Sequence, residues 1–115
     1  MDEEWLAQQK ERLQRELEQT QVSLKRIRES LRSETEFDIE EAARDLYERE
    51  KALALLGTLE RKAESIERAL QAMEKGSYGL CEQCGGQIEP ARLKILPETT
   101  ICVKCKAALE RLAGR

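Results

Sequence analysis

A mainly α protein is expected: a long antiparallel α-helical hairpin, a coiled coil, joined to a small four-cysteine zinc-finger module that ends in a short helix. Three observations predict it. Leu6, Leu13, Leu17, Leu24, Ile27 and Leu31 fall on a frame of positions spaced alternately four and three through the first third of the chain, which is the stripe a coiled-coil helix buries. Charged residues make up 37% of the 115 residues while Trp5, Phe37, Tyr47 and Tyr78 are the only aromatics, too little bulk for an ordinary globular core. The only cysteines form two C-x-x-C pairs, Cys81/Cys84 and Cys102/Cys105, with 17 residues between them, and histidine is absent.

The first helix is expected over residues 1 to 32. Leu6, Leu13, Leu17, Leu24, Ile27 and Leu31 form its stripe, with Lys10 and Thr20 at the seam positions between them. A turn follows at Ser33-Glu34-Thr35-Glu36-Phe37-Asp38, where Ser, Thr and Asp are good caps. The second helix is expected over residues 39 to 75, with Ile39, Ala42, Leu46, Leu53, Leu56, Ala63, Ile66, Leu70 and Met73 as its stripe. Gly57 costs it roughly 1 kcal/mol relative to alanine, which a long helix absorbs. Neither stripe is buried by its own helix. The short turn favours packing within one chain, so the protein is expected to be a monomer with arms roughly 45–55 Å long. The competing arrangement pairs each stripe with another chain.

Gly76-Ser77-Tyr78-Gly79 ends the second helix and leads into the first cysteine pair. This divides the chain into a hairpin, residues 1–76 with its tip at about 33–41, and a cysteine module, residues 77–115. Between the pairs, Leu93 and Ile95 alternate with Arg92 and Lys94, which suggests a short strand; Pro97-Glu98-Thr99-Thr100 reads as a turn. A last helix is expected from Val103 to Leu112, offering Ala107, Ala108, Leu109 and Leu112.

Two C-x-x-C pairs at this separation are a strong zinc signal. Cys81, Cys84, Cys102 and Cys105 supply four thiolates, which fill a tetrahedral shell and leave no position for water or substrate. One structural Zn²⁺ is therefore expected, and it gives a core-poor segment the means to fold. A rubredoxin-like iron site uses similar pairs, but in small aromatic-rich domains; here Tyr78 is the one aromatic near the cysteines.

Composition excludes several functions. A net charge of −3 argues against DNA binding as the main task, because phosphate contacts need a surplus of Lys and Arg. No apolar run has the length of a signal peptide or a membrane span, so the chain reads as cytoplasmic. Without histidine, a P-loop, a G-x-S-x-G or a dinucleotide fingerprint, no catalytic apparatus is visible and no enzyme is expected.

The hairpin tip gathers Glu34, Glu36, Phe37, Asp38, Glu40 and Glu41. Asp38-x-x-Glu41 fits a capping box, and acids in a first helical turn suit the helix dipole. Phe37 could staple the same turn, but its partner would be only Ala42. A capping role and an outward-facing functional role both remain open on spacing.

The chain resembles the DksA/TraR family of bacterial transcription factors over roughly residues 30–110. The resemblance is carried by Tyr78-Gly79-Leu80-Cys81-Glu82-Gln83-Cys84-Gly85, Ile88, Ala91-Arg92-Leu93, Pro97, and Cys102-Val103-Lys104-Cys105-Lys106. It implies a four-cysteine zinc finger on an antiparallel coiled-coil hairpin. It also implies direct binding to core RNA polymerase, insertion of the hairpin tip into the secondary channel, and no DNA binding. Acidic tip residues of a D-x-x-D-x-A motif act there. The corresponding stretch here is Asp38-Ile39-Glu40-Glu41-Ala42-Ala43: Asp38 and Ala43 match, and Glu41 stands where the family has its second aspartate. Phe37, Asp38, Glu41 and Ala43 are thus the candidate partner-binding residues. The positions that bind ppGpp in responsive members fall on Ser65, Leu96 and Lys106, of which only Lys106 is basic, so ppGpp binding is not expected. The alternative function is a non-catalytic, zinc-stapled adaptor or divergent paralogue acting on another protein.

Overall fold

The computed structural model describes residues 2–32 and 39–114, with side chains in the second helix described from residue 44 onward. Among the described residues four helices follow in order: α1 Glu3–Arg32, α2 Ile39–Lys75, α3 Pro90–Ile95 and α4 Val103–Ala113. The two long helices pack on each other within the one chain, in a molecule 58 × 36 × 20 Å across. The hairpin is therefore intramolecular, with arms of about 45 and 55 Å at 1.5 Å per residue.

Local chemistry explains where the arms end. The Asp2 carboxylate accepts from the Trp5 backbone N–H at 2.7 Å, which caps α1. Glu3 and Glu4 lie in its first turn and Arg32 in its last, each at the favourable end of the helix dipole. At the end of α2 the Ser77 N–H donates to the Ala72 carbonyl at 2.8 Å and the Gly76 N–H to the Met73 carbonyl at 3.2 Å. This paired termination needs a left-handed residue at position 76, and Gly76 supplies it at φ +75°.

The antiparallel register is visible in contacts between the arms. Arg28 pairs with Glu60 at 3.4 Å, and the Arg49 guanidinium donates to the Leu31 carbonyl at 2.9 Å. Leu13, Leu24, Ala63, Ile66 and Ala69 are buried, with Leu6, Leu17, Ile27, Leu31, Leu56, Leu70 and Met73 half-buried. A fully buried Leu13 or Ile66 contributes about 1.5–3 kcal/mol over leaving it in water. Thr20 is buried at its expected seam position, and its hydroxyl donates to the Glu16 carbonyl at 2.7 Å.

Two parts of the expected stripes are corrected. Lys10 is exposed, and buried Gln9 takes the inward position. Farther along the hairpin, Leu46 is 59% and Leu53 48% exposed, while Ala52, Leu56 and Leu59 are half-buried. The reason is geometric. Spacing of four and three continued from Met73, Leu70, Ile66 and Ala63 reaches Leu59, Leu56, Ala52 and Arg49, and not the two leucines. Burial follows the helical period and leaves Leu46 and Leu53 on the outer side.

The segment expected as a strand is the helix α3. Pro90 occupies its first turn, and the Arg92 and Leu93 N–H groups both donate to the Glu89 carbonyl. A four-residue alternation cannot separate the two periods, and the decisive residue is the proline, which suits the first turn of a helix. Leu93 is buried and Ile95 is exposed, so the two apolar residues do not share a face. The expected C-terminal helix is α4, but none of its residues is buried. Among the described residues no helix is long and apolar enough to cross a membrane.

Candidate metal centre

One apolar cluster joins the hairpin base to the cysteine module. Leu13, Ile66 and Ala69 from the hairpin meet Tyr78, Cys81, Ile88 and Leu93, with Trp5 and Leu6 packed alongside. The cysteines therefore sit at the base of the hairpin and not at its tip.

The first pair is shaped by a tight backbone loop. The Cys81 N–H donates to the Gly86 carbonyl at 2.8 Å, and the Gly85 N–H to the Cys81 carbonyl at 2.9 Å. Gly85 closes this loop at φ +74°, where a side chain would be strained. An isolated antiparallel bridge between Leu80 and Gln87 holds its two sides together. The second pair has a different backbone. Cys102 is the extended residue that starts α4, its carbonyl accepts from the Lys106 N–H at 2.9 Å, and Cys105 lies in the first helical turn.

The two pairs are pulled together by the Glu82 N–H, which donates to the Thr100 carbonyl at 2.8 Å. All four sulfurs then lie within 4.8 Å of one another, and Cys84 Sγ is 3.8 Å from Cys102 Sγ. A tetrahedral zinc with Zn–S bonds of about 2.3 Å requires sulfurs about 3.8 Å apart, so this donor set fits the ion. Cys81 is buried and Cys84 is exposed.

The electrostatics agree with a site made for a dication. The Cys102 N–H, with those of Cys84 and Gln83, pushes the Cys81 thiol down to about 6 and so favours the thiolate. Cys81 Sγ accepts from the Cys102 N–H at 3.3 Å and from the Gln83 N–H at 3.4 Å. The Cys105 thiol is pushed up to about 12, first by its hydrogen bond to the Cys102 sulfur and then by burial and the other two sulfurs. Four crowded sulfurs cannot all be anionic without a compensating cation, and Zn²⁺ supplies it.

Gln9 and Arg12 were not legible as site residues, yet they bind the module to α1. Gln9 Nε2 donates to the Leu93 carbonyl at 2.9 Å and to the Tyr78 hydroxyl at 3.1 Å. Arg12 Nη1 donates to the Lys94 carbonyl at 2.7 Å. The only available signal was a glutamine three residues after Leu6 and four before Leu13, an inward-facing spacing. Of the tip residues, Phe37 and Asp38 lie outside the described residues. Glu41 and Ala43 belong to the first turns of α2, and their side chains lie outside the description.

Comparison with known proteins converges on one family. Residues 76–111 match the prokaryotic dksA/traR C4-type zinc finger. An uncharacterized protein of Aquifex aeolicus is 47% identical over 49 residues, 43% of this chain and 34% of that protein. The RNA polymerase-binding transcription factor DksA of Caulobacter vibrioides is 38% identical over 84 residues, 70% of this chain and 58% of that protein. The chain thus spans less than two thirds of the length of these relatives. Transcription factor DksA2 from Pseudomonas aeruginosa superposes with a TM-score of 0.80 at 26% identity, covering 100% of this chain and 90% of that one. The chain therefore carries a C4 zinc finger with one structural zinc.

Proposed function

We propose that this chain, which belongs to the DksA/TraR family by its C4-type zinc finger and its fold, is a bacterial transcription regulator that binds RNA polymerase directly. The hairpin, residues 1–76, is the part that reaches, and it enters the secondary channel tip first. The finger, residues 77–115, is the base from which it reaches. The observation that carries this reading is the match of the whole chain, both arms and finger together, to a DksA-type transcription factor. A metal-binding module alone would have matched over the finger only.

The protein acts without catalysis and without touching DNA. Its net charge of −3 gives duplex phosphates no surplus of cations to meet. A hairpin about 50 Å long presents charge at a distance from its base. Phe37, Asp38, Glu41 and Ala43 are the residues assigned to that end, with Cys81, Cys84, Cys102 and Cys105 holding zinc at the other. ppGpp has no part in the activity, since of the three positions that the resemblance implies for it, Ser65, Leu96 and Lys106, only Lys106 is basic.

Zinc-loaded chain is mixed with core RNA polymerase and passed over a sizing column, then added to multi-round transcription from a promoter with a short-lived open complex. Co-elution and a changed transcript yield are expected. Absence of co-elution at tens of micromolar overturns the reading in favour of an adaptor for another protein.

A further inference from the structure

The finger is joined to the hairpin covalently at the turn after α2, where Gly76 and Gly79, both at positive φ, bracket Ser77 and Tyr78. The apolar cluster around Leu13, Ile66, Ile88 and Leu93 holds the two parts together, but apolar contact has no direction. The directional contacts converge on one short stretch. Gln9 donates to the Leu93 carbonyl, Arg12 to the Lys94 carbonyl, and Tyr78 to the Pro97 carbonyl at 2.8 Å. Leu93 and Lys94 lie at the end of a helix of six residues, where the last carbonyls have no partner within the helix. Side chains of α1 supply what α3 cannot.

We infer that Gln9 and Arg12 are positioning residues that lock the angle between the hairpin and the finger. Residues 93–97 lie between the two cysteine pairs, so the acceptors are held in place by the same loop that zinc organises. The metal end thereby sets the direction in which the hairpin points. Gln9 carries the larger share: it is 7% exposed, and its amide satisfies two buried oxygens at once. Arg12, with a side chain 41% exposed and a second partner in Glu16 at 3.4 Å, adds a solvent-screened contact. The bearing of this lock on transcription rests on the function proposed above; the lock itself does not.

The test uses the zinc-loaded full chain with p-acetylphenylalanine in place of Glu29 and Glu110, both exposed, each spin-labelled through its ketone, which leaves the cysteines untouched. Pulsed electron resonance reads the distance distribution between them in the wild type, Gln9→Met and Arg12→Met. Methionine keeps the length of glutamine and has no donor. The expected result is a narrow wild-type distribution and a second, displaced population that rises about five- to ten-fold in Gln9→Met and less in Arg12→Met, as loss of a buried hydrogen bond requires. Zinc content should stay at one per chain in all three. The concentration for half-maximal effect on transcription should rise as the reciprocal of the fraction still at the competent angle, with its plateau unchanged, because binding must then select that angle. Coincident distributions in all three proteins overturn the lock. Should Gln9→Met not fold, the exposed Arg12→Met decides alone. If the wild type has no effect on RNA polymerase, the proposed function fails while the distances still judge the lock.

Discussion

Tyr78 donates its hydroxyl to the carbonyl of Pro97 at 2.8 Å, and both residues are buried between the hairpin base and the finger. The same oxygen accepts from Gln9, so it is satisfied in both directions. The Trp5 ring lies 6.2 Å away at 39°. Tyr78→Phe keeps the ring and its packing but leaves the Pro97 carbonyl without its donor. We expect a loss of about 1–3 kcal/mol, read from urea unfolding.

The same residue gives a pH dependence. Burial pushes the Tyr78 hydroxyl above its ordinary value of 10.0, the hydrogen bond from Gln9 opposing the shift. A proton held more tightly in the folded state stabilises the fold fully below the unfolded value and is lost as pH rises through the folded one. The wild-type advantage over Tyr78→Phe should therefore be constant from pH 7 to about 9 and shrink above about 10. An advantage that grows above that pH would contradict the burial.

Metal removal should act on one end of the molecule. The finger buries few apolar side chains, among them Tyr78, Ile88 and Leu93, so it lacks a core of its own. Chelation, or Cys84→Ser, should abolish the near-UV signal of Trp5 and Tyr78 while the far-UV helical signal keeps most of its strength. A metal-free protein with an unchanged near-UV spectrum would show that zinc has no structural role.

The seam prediction separates leucines that look alike in sequence. Ile66 is 0% and Leu53 48% exposed. Ile66→Asp should cost several kcal/mol, since it buries an unpaired charge, whereas Leu53→Asp should fall within about 1 kcal/mol. Equal losses would place Leu53 in the seam after all. Helicity should also survive dilution to low micromolar concentration, because the arms pair within one chain.

This contrast shows what the sequence made legible and what it did not. Four cysteines at fixed spacing specify a tetrahedral site because sulfur chemistry leaves few alternatives, and the end of α2 at Lys75 follows from Gly76. The distal seam was misplaced because Leu46 and Leu53 are conspicuous, while the true period passes through Ala52 and Arg49, which are not. Gln9 was hidden for a related reason. A buried amide is recognised by its partners, and those lie 69 and 84 positions away in the chain.

Gly57 lies within the unbroken helix α2, and a Cβ added there would meet only the end of the Arg61 side chain at 3.3 Å. That guanidinium can move aside. Gly57→Ala should stabilise the hairpin by about 0.5–1 kcal/mol through lower chain entropy in the unfolded state. A rise in thermal midpoint with unchanged spectra is expected; destabilisation would mean that Arg61 cannot yield.

The tip acids allow capping and function to be told apart. Asp38→Asn keeps a good capping residue type, since asparagine and aspartate are near-equal at an N-cap, and removes the charge. Glu41→Gln likewise keeps a capping-box residue. If the acids only terminate a helix, the double variant should match the wild type in every assay. If they act inside RNA polymerase, it should fold with stability within about 0.5 kcal/mol of the wild type and still co-elute with the enzyme, because the shaft and finger retain their contacts. Its effect on multi-round transcription should nevertheless fall, since a carboxylate in a site of low solvent access interacts far more strongly than an amide. Phe37→Ala should weaken the effect without removing an acid. Glu41→Asp is the informative reverse: it shortens the side chain to the aspartate that the resemblance implies at this position, and a gain in transcriptional effect at unchanged binding would place the carboxylate's reach, one methylene in length, among the determinants of activity. Full activity from the Asp38→Asn/Glu41→Gln double variant would reduce the acidic tip to a helix cap.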